Sequence, residues 1–344
     1  MLKKILLWGS IAILLIVIVS GFALYQSYQD MLSEWHVDED QSENTEDPDS
    51  DEEKEPKEKL QEPFALLLYG IDQRMDQDDT GRPDTLMLAL VDPEELKVKL
   101  ISIPRDSYVE KIPGELKKIN QTFSIGGVEY TIETIEEWLD IPIKGYVSID
   151  FNGFIELVDL VGGVDVYVDR TIRYYDPADG TNINLDEGQQ VLDGKNALDF
   201  VRARKDNRGS RYYTSDYLRM ERQQRVLKAL GHELLSVRSL TRIFNMMDVV
   251  GDNVSTTLKP KELDRLIRSF YKFDMENLET TSIEGEGQQI GIYSYEMIPQ
   301  AEIDRIHELV HHFLDREPLR DEESSENADS EQADADIRYQ HQLQ

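Results

Sequence analysis

Two groups of residues in this sequence have types and spacings that could do chemistry. The first is cationic: Arg202, Arg204, Lys205, Arg208, Arg211, Arg219, Arg222 and Arg225 fall within 24 residues that hold only three acids, Asp206, Asp216 and Glu221. Guanidinium forks match phosphate and carboxylate oxygens, and a local cationic excess attracts an anion that an otherwise acidic molecule repels. Asp216 is expected to N-cap a helix that sets Arg219, Arg222 and Gln223 at i, i+3 and i+4 on one face. A solvated basic face paired with neighbouring acids is the other reading of that spacing. The second group lies at strand edges, in Gly70-Ile71-Asp72-Gln73-Arg74, Arg82-Pro83-Asp84-Thr85 and Ile103-Pro104-Arg105-Asp106. Ligands of open α/β sheets bind outside strand ends, and two such carboxylates could share a Mg²⁺ that takes its remaining oxygens from a phosphate substrate. Turn chemistry, with Asp capping loops, accounts for the same residues and, without a partner motif, is the better reading of them.

Other catalytic patterns are thin. His307-Glu308-Leu309-Val310-His311 matches the H-E-x-x-H zinc pattern on a predicted helix. It closes the ordered region with no third ligand downstream, so it is read as a chance match. The absence of Cys removes disulfides, thiolate metal sites and thiol nucleophiles together.

The elements that must position these residues alternate. Phe64 to Ile71, Thr85 to Val91 and Val98 to Ile103 are apolar runs of strand length, buried on both faces. Val128 to Leu139 has helical spacing, and Lys144 to Ile149 reads as a strand. Asp150 is placed to N-cap a helix over Phe151 to Leu160, closed by Gly162-Gly163 and followed by a strand at Val164 to Val168. Helices are expected over Asn196 to Arg204, Tyr217 to Val237, Lys261 to Tyr271 and Ile303 to Phe313. Strands alternating with helices predict an α/β sandwich with helices on both faces of the sheet.

The ends differ from this middle. Ile5 to Leu24 is a nearly unbroken apolar run, long enough to cross a hydrocarbon layer of ~30 Å. Lys3 and Lys4 precede it and acids follow, so the positive-inside rule puts residues 1–4 in the cytoplasm, an uncleaved anchor over 5–25, and the rest outside the cell. A cleaved signal peptide is the rival, with a shorter apolar core and an A-x-A-like site that Ser20-Gly21-Phe22-Ala23 matches poorly. Residues 26–62 are expected to be an acidic tether, since Asp38 to Glu62 holds 13 acids against 3 Lys. Residues 315–344, with 10 acids and 3 Arg, are expected to be a disordered tail, leaving 63–314 as the folded domain. The formal charge of −32 argues against a nucleic-acid partner.

Taken in order, these pieces resemble the LytR-CpsA-Psr family of membrane-anchored proteins. The likeness rests on Gly70-Ile71-Asp72-Gln73-Arg74, the Arg82-x-Asp84-Thr85 step, Ser102-Ile103-Pro104-Arg105-Asp106, Lys118-Ile119-Asn120, Gly126-Gly127, Asp150-Phe151-x-Gly153-Phe154, Val161-Gly162-Gly163-Val164, Phe200-x-Arg202-x-Arg204, and Asp216-x-x-Arg219-x-x-Arg222-Gln223-Gln224. The resemblance implies an α-β-α sandwich around a central mixed sheet, preceded by one transmembrane helix. It implies a transferase that moves an anionic glycopolymer, such as wall teichoic acid or capsule, from polyprenyl pyrophosphate to peptidoglycan and releases polyprenyl phosphate. It further implies that Asp72 and Asp84 hold Mg²⁺ (or Mn²⁺), and that Arg82, Arg105, Arg202, Arg204, Arg219, Arg222 and Gln223 hold the pyrophosphate. Of these, Arg105, Arg219 and Arg222 act in catalysis, with Asp106 a candidate base. The lipid would lie in an apolar tunnel between sheet and helices. Pro83 departs from the family's small polar residue, and Lys205 to Ser215 is longer than its pattern, which leaves Arg208 and Arg211 unassigned. A pyrophosphatase, or a non-enzymatic surface regulator, would share much of this pattern.

Overall fold

The computed structural model describes residues 62–71, 83–177, 180–236, 253–270 and 272–315. The expected anchor over 5–25, the tether short of Glu62, and the tail beyond Asp315 lie outside them, as do Asp72 and Arg82. No helix among the described residues is long and apolar enough to cross a membrane.

In chain order the elements are β1 (Phe64–Ile71), β2 (Pro83–Asp92), β3 (Lys97–Ser102), α1 (Gln121–Leu139), β4 (Gly145–Asp150) and α2 (Phe151–Val161). Next come β5 (Val164–Val168), β6 (Ile172–Asp176), β7 (Thr181–Leu185), β8 (Gly188–Leu192), α3 (Gly194–Arg202) and α4 (Asp216–Ser236). The described chain closes with β9 (Val254–Thr256), α5 (Pro260–Phe270), β10 (Leu278–Ser282), β11 (Glu286–Ile290), β12 (Tyr293–Met297) and α6 (Gln300–Asp315).

Six strands form one mixed sheet in the order β10-β3-β2-β1-β4-β9. β1 runs antiparallel to β2 and parallel to β4, and β10 runs parallel to β3. Alternation along β1 then divides the core. Ala65, Leu67, Tyr69 and Ile71 join Val128, Ile135 and Leu139 of α1 and Ile306 and Val310 of α6 on one face. Phe64 and Leu66 pack on the other face with Leu258, and with Leu263 and Leu266 of α5. A further cluster is built from α2, α3 and α4 over the pairs β5-β8 and β6-β7. The result is an α-β-α sandwich with a central mixed sheet.

Local chemistry sets the helix that walls the site. Asp150 accepts a hydrogen bond from the Gly153 N–H at 2.7 Å, which starts α2 directly off the end of β4. Gly162 and Gly163, both at φ +95°, end it in the left-handed region that a side chain would strain. α2 and α3 then approach closely: a Cβ on Gly194 would lie 2.1 Å from the Ile155 carbonyl oxygen. Gly194→Ala is therefore expected to force the helices apart and cost about 1–3 kcal/mol. A thermal melt indistinguishable from the parent would contradict this packing.

The helix expected from Val128 begins earlier, at Gln121, and is broken at Gly126 and Gly127, where Gly127 has φ +71°. The Thr122 and Thr131 hydroxyls lie 2.9 Å apart, so a polar contact bridges the break. β6 to β8 and β10 to β12 interrupt the alternation expected from sequence. Thr-Asn-Ile-Asn-Leu in β7 buries only alternate residues, and β11 is exposed along its whole length.

Candidate functional site

A cavity of about 310 Å³ lies between the sheet and helices α2, α3 and α4. Its wall changes character in the same direction along three elements. On α4, Arg219 and Gln223 give way to Val226 and Leu227; on β2, Asp84 gives way to Met87. On α3, read backward, Arg202 gives way to Val201 and Leu198. One end is thus polar and charged, while the rest is apolar, with Leu68, Val147 and Ile149 contributed by the sheet and Phe154 and Leu157 by α2. Tyr69 also lines it, and burial pushes its hydroxyl pKa up, so the phenol stays neutral.

The polar end is an interlocked set of charges. Arg105, on the loop after β3, forms an ion pair with Asp84, and its Nε lies 3.8 Å from Asp106. Asp106 in turn takes Lys118 at 3.1 Å. Asp216 holds Arg219 at 3.0 Å and Arg204 at 3.4 Å. Arg202 stacks on Phe151, 4.2 Å from the ring centroid. Arg219 is only 4% exposed. Burial pushes its pKa down; Asp216 opposes that shift and Arg105 adds to it. The buried Nε atoms of Arg105 and Arg219 have no hydrogen-bond partner. A buried donor left unmade costs roughly 1–3 kcal/mol; the guanidiniums of Arg202, Arg204 and Arg219 on the wall at this end suit an acceptor such as a phosphate oxygen.

Asp84, Arg202, Arg204, Arg219 and Gln223 therefore line one end of one cavity, and Arg105 reaches it through Asp84. Asp106 stands behind Arg105, bracketing it and Lys118, and is not on the cavity wall.

Arg222 lies off the cavity wall. Its guanidinium is fully buried and takes Asp169 as a fork, with Nε and Nη2 donating at 2.6 and 2.7 Å. It also lies 5.0 Å over the Phe200 ring, and its Nη1 donates to Thr214 Oγ1 at 3.3 Å. At about 100° per residue, Arg222 and Gln223 diverge by a quarter turn, and only Arg219 and Gln223 share the cavity side. The expected cap differs as well: Ser215 Oγ accepts from the Leu218 N–H at 3.2 Å, leaving Asp216 free to organise arginines.

Asp169, Tyr217 and Glu296 gave no signal in the sequence, because their partners are remote in the chain. Tyr217 donates to Glu296 at 2.8 Å and accepts from the Gly285 N–H at 2.6 Å. Burial, with Glu296 beside it, raises its pKa, so it remains a donor. The Glu296 N–H donates to the Asp106 carbonyl at 2.9 Å, and the Tyr108 N–H to the Glu296 carbonyl at 2.8 Å. Tyr217 and Glu296 thus clamp the start of α4 to the loop that carries Arg105. Tyr217→Phe is expected to cost about 1–3 kcal/mol by leaving the Gly285 N–H unpaired, and to lower turnover more than affinity. Equal stability and turnover in the variant would remove the clamp from the site. His307 and His311, the H-E-x-x-H pair, both hydrogen-bond the Asp140 carbonyl, at 2.9 and 3.1 Å.

Residues 27–311 match the model of the LytR_cpsA_psr family. The chain belongs to the LytR_cpsA_psr family. Among its relatives is the polyisoprenyl-teichoic acid–peptidoglycan teichoic acid transferase TagU of Halalkalibacterium halodurans, 35% identical over 291 residues, which cover 83% of this chain and 89% of TagU. The crystal structure of Bacillus subtilis TagV superposes with a TM-score of 0.63 at 30% identity, covering 75% of this chain and 99% of that one. A structure of TagT bound to LI-WTA superposes with a TM-score of 0.58 at 25% identity, covering 76% and 94%. This LytR_cpsA_psr member keeps its charged residues at the cavity end where β2 begins and α4 starts.

Proposed function

We propose that this protein transfers an anionic glycopolymer from a polyprenyl pyrophosphate carrier to peptidoglycan, releasing polyprenyl phosphate, at the outer face of the cell membrane. The observation that carries the proposal is the cavity: an apolar chamber suited to a prenyl chain, ending at Arg202, Arg204 and Arg219 with Gln223 beside them. The names of the relatives support the polymer and the acceptor.

The chemistry follows from the charges. The acceptor hydroxyl attacks the phosphorus that carries the polymer, a new P–O bond forms, and the P–O–P bridge opens with its electron pair leaving on polyprenyl phosphate. The hydroxyl proton passes to a base. Such a step needs alignment and charge neutralisation more than covalent help. Arg219, with Arg202 and Arg204, is placed to hold the pyrophosphate oxygens; Gln223 supplies a neutral polar contact, and Arg105 sets the position of Asp84. Asp106, with Lys118, holds Arg105 in register. The carboxylate of Asp84, at the polar end of the cavity, fits a hard cation of the Mg²⁺ or Mn²⁺ type that takes one or two carboxylates and completes its shell from phosphates, with Asp72, outside the described residues, as the second carboxylate the sequence offers. When bound, such an ion would neutralise charge on the bridging and leaving oxygens.

The test is turnover of a synthetic polyprenyl-pyrophosphate glycan by the full-length protein in detergent, with Mg²⁺ and oligomeric peptidoglycan, read by mass spectrometry. Polymer joined to peptidoglycan is the expected product. Free phosphorylated glycan alone would replace the proposal with a pyrophosphatase. Intact substrate bound tightly would replace it with a surface sensor.

A further inference from the structure

The loop over residues 204–214 leaves the cavity mouth and returns to it. The Thr214 N–H donates to the Arg204 carbonyl at 2.9 Å, so both ends of the loop stand beside a residue of the cavity wall. Its interior is braced from several sides. Buried Asp206 accepts from Nε and Nη2 of Arg208 at 2.9 and 2.8 Å, and from the Arg173 N–H at 3.1 Å. The Asn207 N–H donates to the Arg173 carbonyl at 2.9 Å, and Arg170 donates to Thr214 Oγ1 at 3.0 Å. Arg208 is therefore part of the brace, its charge answered by Asp206.

Two cations on this braced loop have no such answer. Lys205 and Arg211 are exposed, and among the described residues neither has a carboxylate partner. The Arg211 guanidinium is held 4.7 Å from the Tyr212 ring centroid, and its Nη2 donates to the Tyr212 hydroxyl at 2.8 Å. Tyr212 is itself stacked by Arg208 at 4.3 Å, and Tyr213 next to it is 48% exposed. Fixing an uncompensated guanidinium against an aromatic ring limits the side-chain entropy lost when an anion binds. In a chain of net charge −32, that arrangement, on a loop whose two ends meet at Arg204 of the cavity wall, favours an anionic ligand.

We propose that the loop over 204–214 is a ledge that holds the polymer part of the donor as it emerges from the mouth, with Lys205 and Arg211 taking phosphodiester groups of successive repeats and Tyr213 offering its ring to the intervening polyol or sugar. The ligand class is a linear polyanion of phosphodiester-linked units. The ledge extends the site of the proposed transferase and rests on that reading of the mouth. Lys205 and Arg211 make no contact with the reacting phosphorus in this proposal; they discriminate long charged donors from short or neutral ones.

The test uses the full-length protein in detergent and a fluorescent, lipid-free oligo(glycerol phosphate), with binding followed by anisotropy across a salt series. The parent protein is expected to bind with an affinity that falls as salt rises. The double variant Lys205→Ala/Arg211→Ala is expected to bind about tenfold more weakly with a shallower salt slope. Its melting temperature should be unchanged, because both side chains are exposed; a charge-keeping Lys205→Arg/Arg211→Lys variant should restore binding. Equal affinity in the alanine variant would overturn the ledge. Equally tight, Arg211-dependent binding of a neutral peptidoglycan oligomer would overturn the polyanion assignment. A polyprenyl pyrophosphate bearing one sugar, measured alongside, separates the two readings. Its failure to bind the parent protein would sink the cavity assignment alone, because the lipid-free oligomer reports on the ledge directly.

Discussion

Arg219→Ala is expected to lower turnover by about 10²–10³-fold, or about 2.7–4 kcal/mol of transition-state stabilisation, by analogy with removal of one preorganised oxyanion donor. The side chain is 4% exposed, its Nε has no protein acceptor, and it lies on the wall at the polar end of the cavity. Asp216 would keep Arg204 after the change, so the mouth would not collapse onto an uncompensated carboxylate. The loss should therefore fall on kcat with a smaller change in KM, and Arg219→Lys should recover little, since an ammonium lacks the planar fork. Steady-state kinetics on the lipid-linked donor would decide it. A variant that retains more than half the parent's turnover would move the phosphate-binding role away from this helix.

Arg222→Ala should do a different kind of damage. Removing it leaves Asp169 with its Arg222 fork gone, and breaking a partly or fully buried pair costs about 3–5 kcal/mol. Arg170 at 3.7 Å and Arg225 at 4.0 Å soften that loss without replacing the fork. Activity should then follow the folded fraction, and melting should drop clearly. A variant with parental melting and abolished turnover would return Arg222 to the chemistry. The pair also predicts an acid limb. Burial alone would raise the Asp169 pKa, but the Arg222 hydrogen bonds and charge outweigh it and hold the carboxyl below its ordinary value. A carboxyl depressed in the fold contributes stability that is present above its unfolded pKa, about 3.9, and is lost as pH falls through the folded value. The Asp169→Asn variant should lack that part of the acid transition.

Much of the scaffold is readable from the chain alone because its signals are local. The apolar runs of β1 to β4, the Asp150 cap and the Gly162-Gly163 stop all act within a few residues of themselves. The site divides along the same line. Residue type and strand-edge position identify Asp84, Arg105, Arg202, Arg204, Arg219 and Gln223, but not which guanidiniums face the cavity. That choice is made by partners far off in sequence: Asp169 draws Arg222 away across 53 residues, and Glu296 reaches Tyr217 across 79. The short strands β7 and β8 are equally illegible, since their five residues include exposed polar positions such as Asn182, Asn184 and Gln189 and only one or two buried apolar ones.

The parallel pairing of β10 with β3 joins Leu278 to Val98, far apart in the chain, and α6 completes the cover that α1 begins on one face of the sheet. A growing chain meets its N-terminal strands first, so β1 to β4, with α1 over part of their face, wait with the rest uncovered until Ile306 and Val310 arrive. Such late, long-range closure is slow and exposes the intermediate to aggregation. Production of this protein should therefore respond more to foldase or chaperone supply than to codon rate in its first half, and a stop codon placed anywhere before Val310 should yield a chain that is degraded rather than a smaller enzyme.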